Sequence, residues 1–146
     1  MPDLVLAVAH HLLVFGLVVM LAMELALVRL ERPDVAALAR LDAAYGLTAL
    51  LIIVVGVCRV IWGGKGWAFY QDNVFFWMKM GAFAAIGLVS IGPTLLFMRW
   101  SRATKADGGF APPPDELKRA RAWLWTEVGL ILPLVALAAA MARWPL

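Results

Sequence analysis

The sequence predicts an all-α integral membrane protein, with residues 1–146 forming a single domain that is a four-helix bundle in the bilayer. Of the 146 residues, 64% are hydrophobic and only 16% are charged, whereas a soluble domain is about half apolar and about a quarter charged. The apolar residues are concentrated in four long blocks, which is typical of membrane spans. We predict spans at residues 4–27, 41–62, 74–98 and 122–142.

The four blocks favour helices over strands. About 20 residues at a rise of 1.5 Å cover the hydrocarbon core of a bilayer, and each block is that long. The blocks lack the alternation of apolar and polar residues that half-buried strands show. The first block has no basic segment before it and is followed at once by Arg29 and Arg32, so we predict a retained span rather than a signal peptide.

Lysine and arginine segregate to one side of the predicted spans. By the positive-inside rule, this bias places both termini outside, on the periplasmic side of a bacterial inner (cytoplasmic) membrane. The net charge of +3 is then explained by the basic loops that orient the protein in the membrane. We therefore predict no nucleic-acid partner. The first and third loops carry Arg29, Arg32, Arg40, Arg99, Arg102, Lys105, Lys118, Arg119 and Arg121, against Arg59, Lys65 and Arg143 on the other side.

Four basic or potentially basic side chains fall at one depth near the predicted outer face. They are His10 and His11 of the first span, Arg59 of the second and Lys79 of the third. An imidazole in lipid is available as a metal ligand or proton carrier, so His10 and His11 are candidate ligands for copper or for a haem iron. At 100° per residue the two histidines point about 100° apart and cannot face the same partner equally.

A second polar layer lies near the predicted inner face. Glu24 is fourteen residues after His10, so the two share a helix face within about 40°. Such stripes are expected to face the bundle interior, because lipid offers no polar partner. We predict a polar path through this layer, with the alternative that its members form interhelical salt bridges and hydrogen bonds. The predicted path consists of Glu24, Asp42, Tyr45, Ser90 and Glu127.

The sequence as a whole resembles a bacterial family of four-span membrane proteins without an assigned function. The resemblance covers nearly the whole chain. The segments that carry it are HHLLVF, MELALVRL, ARLDAAYG, GVCRVIWGGKGWAFY, NVFFWMKM and GLVSIGPTLLFMRW.

A more distant resemblance concerns the four-span haem-b protoporphyrinogen oxidase family and, loosely, the membrane domain of copper-resistance proteins. The first-span histidine and the segment FWMKM are similar to motifs of the oxidases. The resemblance implies a haem site at His10 or His11 together with Lys79. Arg59 is then available to a haem propionate.

Three functional hypotheses follow. The first is a protein that binds haem b near the outer face and transfers electrons or protons, which includes a haem-dependent membrane oxidoreductase. The second is a metal-handling or proton-linked transport protein, with copper as the alternative ligand or no cofactor. The third is a non-catalytic assembly subunit of a membrane complex. Beyond the lipid bilayer, we predict a homodimer or a membrane-complex partner.

Overall fold

Four long helices and one short helix account for most of the chain in the computed structural model, which describes residues 2–143. The helices are α1 (Pro2–Leu27), α2 (Val35–Trp62), α3 (Gly66–Gln71), α4 (Val74–Ala106) and α5 (Pro114–Ala142). No strand occurs among these residues. The predicted all-α class and the four spans are therefore confirmed, although α2, α4 and α5 extend several residues beyond the predicted boundaries.

Side-chain caps and loop residues explain where the helices begin. Asp34 accepts a hydrogen bond from the backbone N–H of Ala37 at 2.9 Å, which starts α2 before its apolar block. Asn73 caps α4 by accepting from the N–H groups of Phe75 and Phe76. Since α4 has 33 residues, it is about 50 Å long and extends past a hydrocarbon core of about 30 Å.

The four long helices form an up-and-down bundle with α1, α2, α4 and α5 in consecutive positions. The most extensive contacts are those between α1 and α2 and between α4 and α5, while α2 also contacts α4 and α1 contacts α5. In the described part of the chain, the diagonal pairs α1–α4 and α2–α5 make no backbone contact. Side chains that meet across a diagonal therefore lie in the centre of the bundle.

The outer surface of the bundle is apolar. Leu12, Phe15 and Leu132 expose 67%, 67% and 75% of their surface, far more than a soluble bundle would leave to water over such a contiguous area. Four helices in the described residues are long and apolar enough to cross a membrane, with mean hydropathy between 1.8 and 2.5 over their best windows. The exposed apolar faces fit contact with lipid chains.

The two ends of the bundle differ in construction. At one end, which we call the loop end, residues 28–34 connect α1 to α2 and residues 107–113 connect α4 to α5. The buried side chains there include Val28, Leu38, Phe97, Trp100 and Leu124. This group is the most completely buried apolar part of the molecule.

The opposite end, which we call the α3 end, is closed by the short helix between α2 and α4. Gly66 begins α3 with φ +71°, a left-handed conformation that favours glycine. The Asn73 amide donates to the carbonyl oxygen of Met141 at 3.1 Å, and the Lys65 ammonium donates to that of Ala142 at 3.3 Å. These bonds tie the α3 segment to the last turn of α5.

Gly92 of α4 lets the Trp123 ring of α5 pack directly against the α4 backbone, which gives the first testable prediction. A Cβ at this position would lie 2.8 Å from the Trp123 ring, so Gly92→Ala is expected to lower the free energy of unfolding by about 1–3 kcal/mol through overpacking. Denaturation in mixed micelles measures this. Gly87→Ala on the same helix is the control, since a Cβ there meets nothing within 4 Å. Equal stability of both variants would contradict the prediction.

Candidate functional site

Three buried carboxyl groups meet inside the bundle on the loop-end side of its middle. We call Glu24 of α1, Asp42 of α2 and Glu127 of α5 the acidic layer. Glu24 exposes 2% of its surface, Glu127 1% and Asp42 8%. The three side chains lie close enough for Glu24 to feel the charges of both others. All three belonged to the predicted polar path, and the fold brings them together.

Two hydroxyl groups complete the acidic layer. The Tyr45 hydroxyl donates to Oε2 of Glu127 at 2.9 Å, a bond that joins α2 to α5 across the diagonal of the bundle. The Thr94 hydroxyl of α4 donates to Oδ1 of Asp42 at 2.8 Å. All four long helices therefore contribute a polar side chain at this level.

Two carboxyl oxygens of the acidic layer have no hydrogen-bond partner. Oε1 of Glu24 and Oε1 of Glu127 are both buried and unpaired. Buried polar atoms are seldom left unpaired, because the loss of hydration costs about 1–3 kcal/mol per group. These oxygens are therefore free to bind a proton or to accept a hydrogen bond from a ligand.

No basic side chain neutralises the acidic layer. The two ion pairs among residues 2–143 are Arg99 with Glu116 at 2.5 Å and Arg119 with Asp115 at 2.7 Å, and both lie at the loop end. The alternative of interhelical hydrogen bonds is realised by Tyr45 and Thr94. The other part of that prediction, salt bridges between helices, is absent from the acidic layer in the described residues.

Ser90 takes a different position from the rest of the predicted path. Its hydroxyl donates to the carbonyl oxygen of Gly87 in the same helix at 2.8 Å. Thr94, four residues further along α4, supplies the hydroxyl that reaches the acidic layer. Both residues lie on the same span, and the packing of α4 against α2 decides which of them reaches the acidic layer.

His10, Arg59 and Lys79 form a second group nearer the α3 end, which we call the basic layer. They come from α1, α2 and α4, and the charges of Arg59 and Lys79 both act on His10. Each side chain is partly buried. A Cβ placed on Gly56 would lie 3.7 Å from Cε1 of His10, which shows that the imidazole lies against α2 at this glycine.

Two nitrogen atoms of the basic layer are unpaired. Nδ1 of His10 and Nε of Arg59 are buried without a hydrogen-bond partner. The Lys79 ammonium lies 5.6 Å from the centre of the Phe76 ring, within the range of a cation–π contact. No carboxylate among residues 2–143 lies within 4 Å of these three side chains.

The second histidine lies apart from the basic layer. His11 is exposed on the outside of the bundle, and its Nδ1–H donates to the carbonyl oxygen of Ala7 at 2.6 Å. Its ring centre is 6.2 Å from that of His10. In the part of the chain that is described, no three His, Cys, Asp or Glu side chains are grouped as metal ligands. Of the two histidines, His10 faces the interior.

An apolar layer separates the two polar layers. Leu17 lies seven residues from both His10 and Glu24, and Ile52 lies seven residues from both Tyr45 and Arg59. Ile86 of α4 lies seven residues after Lys79. All three apolar side chains are buried. Seven residues make about two helical turns, so these apolar side chains lie about midway between the two polar layers. The layers are fourteen residues apart along α1 and α2, which corresponds to about 21 Å.

A small cavity at the α3 end adjoins the basic layer through Arg59. Its volume is about 100 Å³, and Asp3, Arg59, Lys65 and Tyr70 are among the residues that line it. Asp3 and Lys65 were not among the predicted site residues. Lys65 lies in a glycine-rich loop and Asp3 in the first turn of α1, so neither belongs to a helix stripe that periodicity detects.

The Tyr45–Glu127 hydrogen bond gives the second testable prediction. Tyr45→Phe removes the donor and leaves the Glu127 carboxyl without a described partner, so the free energy of unfolding should fall by about 1–2 kcal/mol. Ser90→Ala is the control, since its hydroxyl bonds only within α4. Denaturation in mixed micelles compares the two variants. A Tyr45→Phe variant as stable as Ser90→Ala would show that the diagonal bond contributes nothing.

Comparison with known proteins places this architecture in a family. The family described as "Predicted membrane protein (DUF2214)" matches residues 2–144. No curated protein matches the chain, and no solved structure matches it.

Proposed function

We propose that this chain, which belongs to the family of predicted membrane proteins DUF2214, moves protons across the membrane and uses the acidic layer to hold them in transit. The observation that carries the proposal is the buried group of three carboxyls with two unpaired oxygens and no basic partner. Ionisable residues inside a membrane bundle commonly belong to ion or proton pathways.

The physical argument concerns the cost of charge. An isolated charged side chain near the bilayer centre costs about 2.5–3.5 kcal/mol on insertion scales, and three adjacent carboxylates would also repel each other. Protons bound to the layer remove both costs. The unpaired Oε1 atoms of Glu24 and Glu127 are the sites where a proton binds without first breaking a hydrogen bond.

The apolar layer supports transport rather than an open channel. A continuous water chain would dissipate the proton gradient, and the buried side chains of Leu17, Ile52 and Ile86 block one between the two polar layers. Protons then reach the acidic layer and pass the apolar layer only after the helices rearrange, since the loop-end side chains of Phe97, Trp100 and Leu124 are also fully buried. We place the protein in the bacterial inner membrane with both termini outside, in agreement with its lysine and arginine distribution.

Proton flux into liposomes tests the proposal. The purified full-length chain is reconstituted with a pH-sensitive dye inside the vesicles, and the external pH is lowered in buffer containing chloride, phosphate and succinate. Potassium and valinomycin on both sides of the membrane prevent a membrane potential from building up. We expect faster internal acidification than in protein-free liposomes. Equal rates in both preparations, with the protein shown to be folded and inserted, would overturn the proposal.

Haem b binding is the second candidate, in which His10 would bind the iron and Arg59 would pair with a propionate. The unpaired Nδ1 of His10 next to Arg59 and Lys79 favours it. The cavity that Arg59 lines is about 100 Å³, below the 300–1,000 Å³ of typical ligand pockets, so a porphyrin would have to separate the helices. A reduced-minus-oxidised spectrum after expression with added haem tests this candidate, and absence of a Soret band rejects it.

A further inference from the structure

We propose that the basic layer binds a small monovalent oxyanion, a carboxylate or a phosphate monoanion, which enters from the α3 end. The inference deepens the proposed function and rests on it, since it names the class of cargo that moves with the proton. Binding itself requires only the basic layer and is measured separately.

The arrangement of the basic layer suits an anion. His10, Arg59 and Lys79 come from three consecutive helices of the bundle and act electrostatically on one another. Placing the Arg59 and Lys79 charges together without an ion-paired carboxylate is unfavourable, because like charges repel in a poorly solvated interior. An anion among them removes that repulsion.

The unpaired nitrogen atoms indicate where the anion binds. Nε of Arg59 carries an N–H that has no acceptor, and Nδ1 of His10 is likewise buried and unpaired. Oxygen acceptors of a carboxylate or phosphate satisfy the Arg59 N–H with charge-assisted hydrogen bonds, which are stronger than neutral ones, and they accept from Nδ1 of His10 in the tautomer that carries its proton there. The flexible Lys79 side chain then adds a third donor in exchange for its contact with Phe76.

The cavity at the α3 end supplies an entry and a size limit. Arg59 is on its wall, and Lys65 adds a second positive charge there. A volume of about 100 Å³ is below the 300–1,000 Å³ of typical ligand pockets, so the cavity suits a small anion. Asp3 also lines the cavity, and its carboxylate disfavours a ligand with two negative charges.

The link to the acidic layer concerns charge balance. A monoanion on the basic layer and one proton on the acidic layer cross the membrane together without net charge. When the helices rearrange, the proton can neutralise the anion, and the resulting acid passes the apolar layer without the cost of an isolated charge in lipid.

Calorimetric titration of the full chain in nanodiscs of zwitterionic lipid tests the proposal, with sodium formate and sodium phosphate as probes. Saturable binding is expected, and Lys79→Gln and Arg59→Gln should each weaken it about tenfold or more, since hydrogen bonds to charged groups contribute about 1.5–3 kcal/mol. Arg59→Lys keeps the charge but loses the Nε donor and should also bind more weakly. Arg143→Gln is the matched control, because Arg143 lies at the same end and donates to Ala139 of its own helix.

The outcomes separate the alternatives. Binding of both probes by folded Lys79→Gln and His10→Gln with wild-type affinity, or no binding by the wild-type protein in either lipid, would overturn the proposal. Loss of formate binding only in nanodiscs of anionic lipid would identify a lipid headgroup as the source of the oxyanion. Glu127→Gln changes only the acidic layer and should bind formate as the wild type does. If the protein binds formate but shows no proton flux, the proposed function is wrong and the anion site stands.

Discussion

Glu127→Gln is expected to reduce proton flux in the liposome assay to the level of protein-free vesicles. Glutamine has nearly the same shape as glutamate, and its side-chain carbonyl still accepts the Tyr45 hydrogen bond that Oε2 of Glu127 accepts at 2.9 Å. What the variant loses is the ability to bind and release a proton. Stability should stay equal or rise, because one member of a repelling group of acids becomes neutral.

Glu31→Gln is the control for this result. Glu31 is an exposed acid in the loop between α1 and α2, so the substitution makes the same chemical change outside the bundle and should leave the flux unchanged. Full flux in Glu127→Gln would show that the proton does not pass through Glu127. Loss of flux in both variants would indicate a general effect of charge rather than a defined path.

Trp100→Ala is expected to have the largest effect on stability, a loss of about 3 kcal/mol in the free energy of unfolding. Trp100 is 0% exposed, and truncation of a buried aromatic residue typically costs about 3–5 kcal/mol. Its ring N–H also donates to Oε2 of Glu116 at 2.5 Å, while Arg99 pairs with the other oxygen of Glu116. The variant thus leaves a cavity at the loop end and removes a donor from the Glu116 carboxylate.

Two further variants divide the contributions to this loss. Trp100→Phe keeps most of the packing and removes the N–H, so it should cost about 1–1.5 kcal/mol. Trp62→Ala removes a ring that is 64% exposed and should change stability by no more than about 0.5 kcal/mol. Denaturation in mixed micelles measures all three. A Trp100→Ala variant as stable as Trp62→Ala would refute the role assigned to the loop-end core.

The spans were predictable because lipid-exposed helices are apolar on all sides and therefore have high average hydropathy. Apolar residues such as Phe15 and Leu132 occur on all sides of each helix, not only on the buried side, so average hydropathy detects the helices well. The same average misses their ends. Helix α2 begins at Val35, several residues before the predicted span, because the Asp34 cap and the polar residues after it are helical without being apolar.

The sequence predicts the depth of the acidic and basic layers in the membrane but not which side chains within each layer contact each other. The spacing of fourteen residues between His10 and Glu24 fixes their common face from helix geometry alone. Which side chains meet depends on the order of helices around the bundle, and the Tyr45–Glu127 bond across the diagonal requires that order. Periodicity therefore placed Ser90 in the path, although Thr94, one helical turn further on, is the side chain that reaches Asp42.

The short helix α3 left no trace that periodicity could detect. Its six residues, GWAFYQ, are too few to display a 3.6-residue repeat, and its flanking glycines indicate a loop. Its position, and with it the cavity lined by Asp3 and Lys65, depends on hydrogen bonds that the flanking residues Lys65 and Asn73 donate to the distant end of α5. The entry to the basic layer was for that reason beyond the reach of sequence analysis.

Infrared difference spectroscopy of the protein in lipid tests the central claim most directly, since a protonated carboxyl group has a carbonyl stretching band that a carboxylate lacks. Wild-type protein at neutral pH should show such a band, shifted by deuterium exchange and reduced in Glu127→Gln and Glu24→Gln but unchanged in Glu31→Gln. A spectrum with no protonated carboxyl band at neutral pH, or with a band that neither Glu127→Gln nor Glu24→Gln alters, would contradict proton storage in the acidic layer.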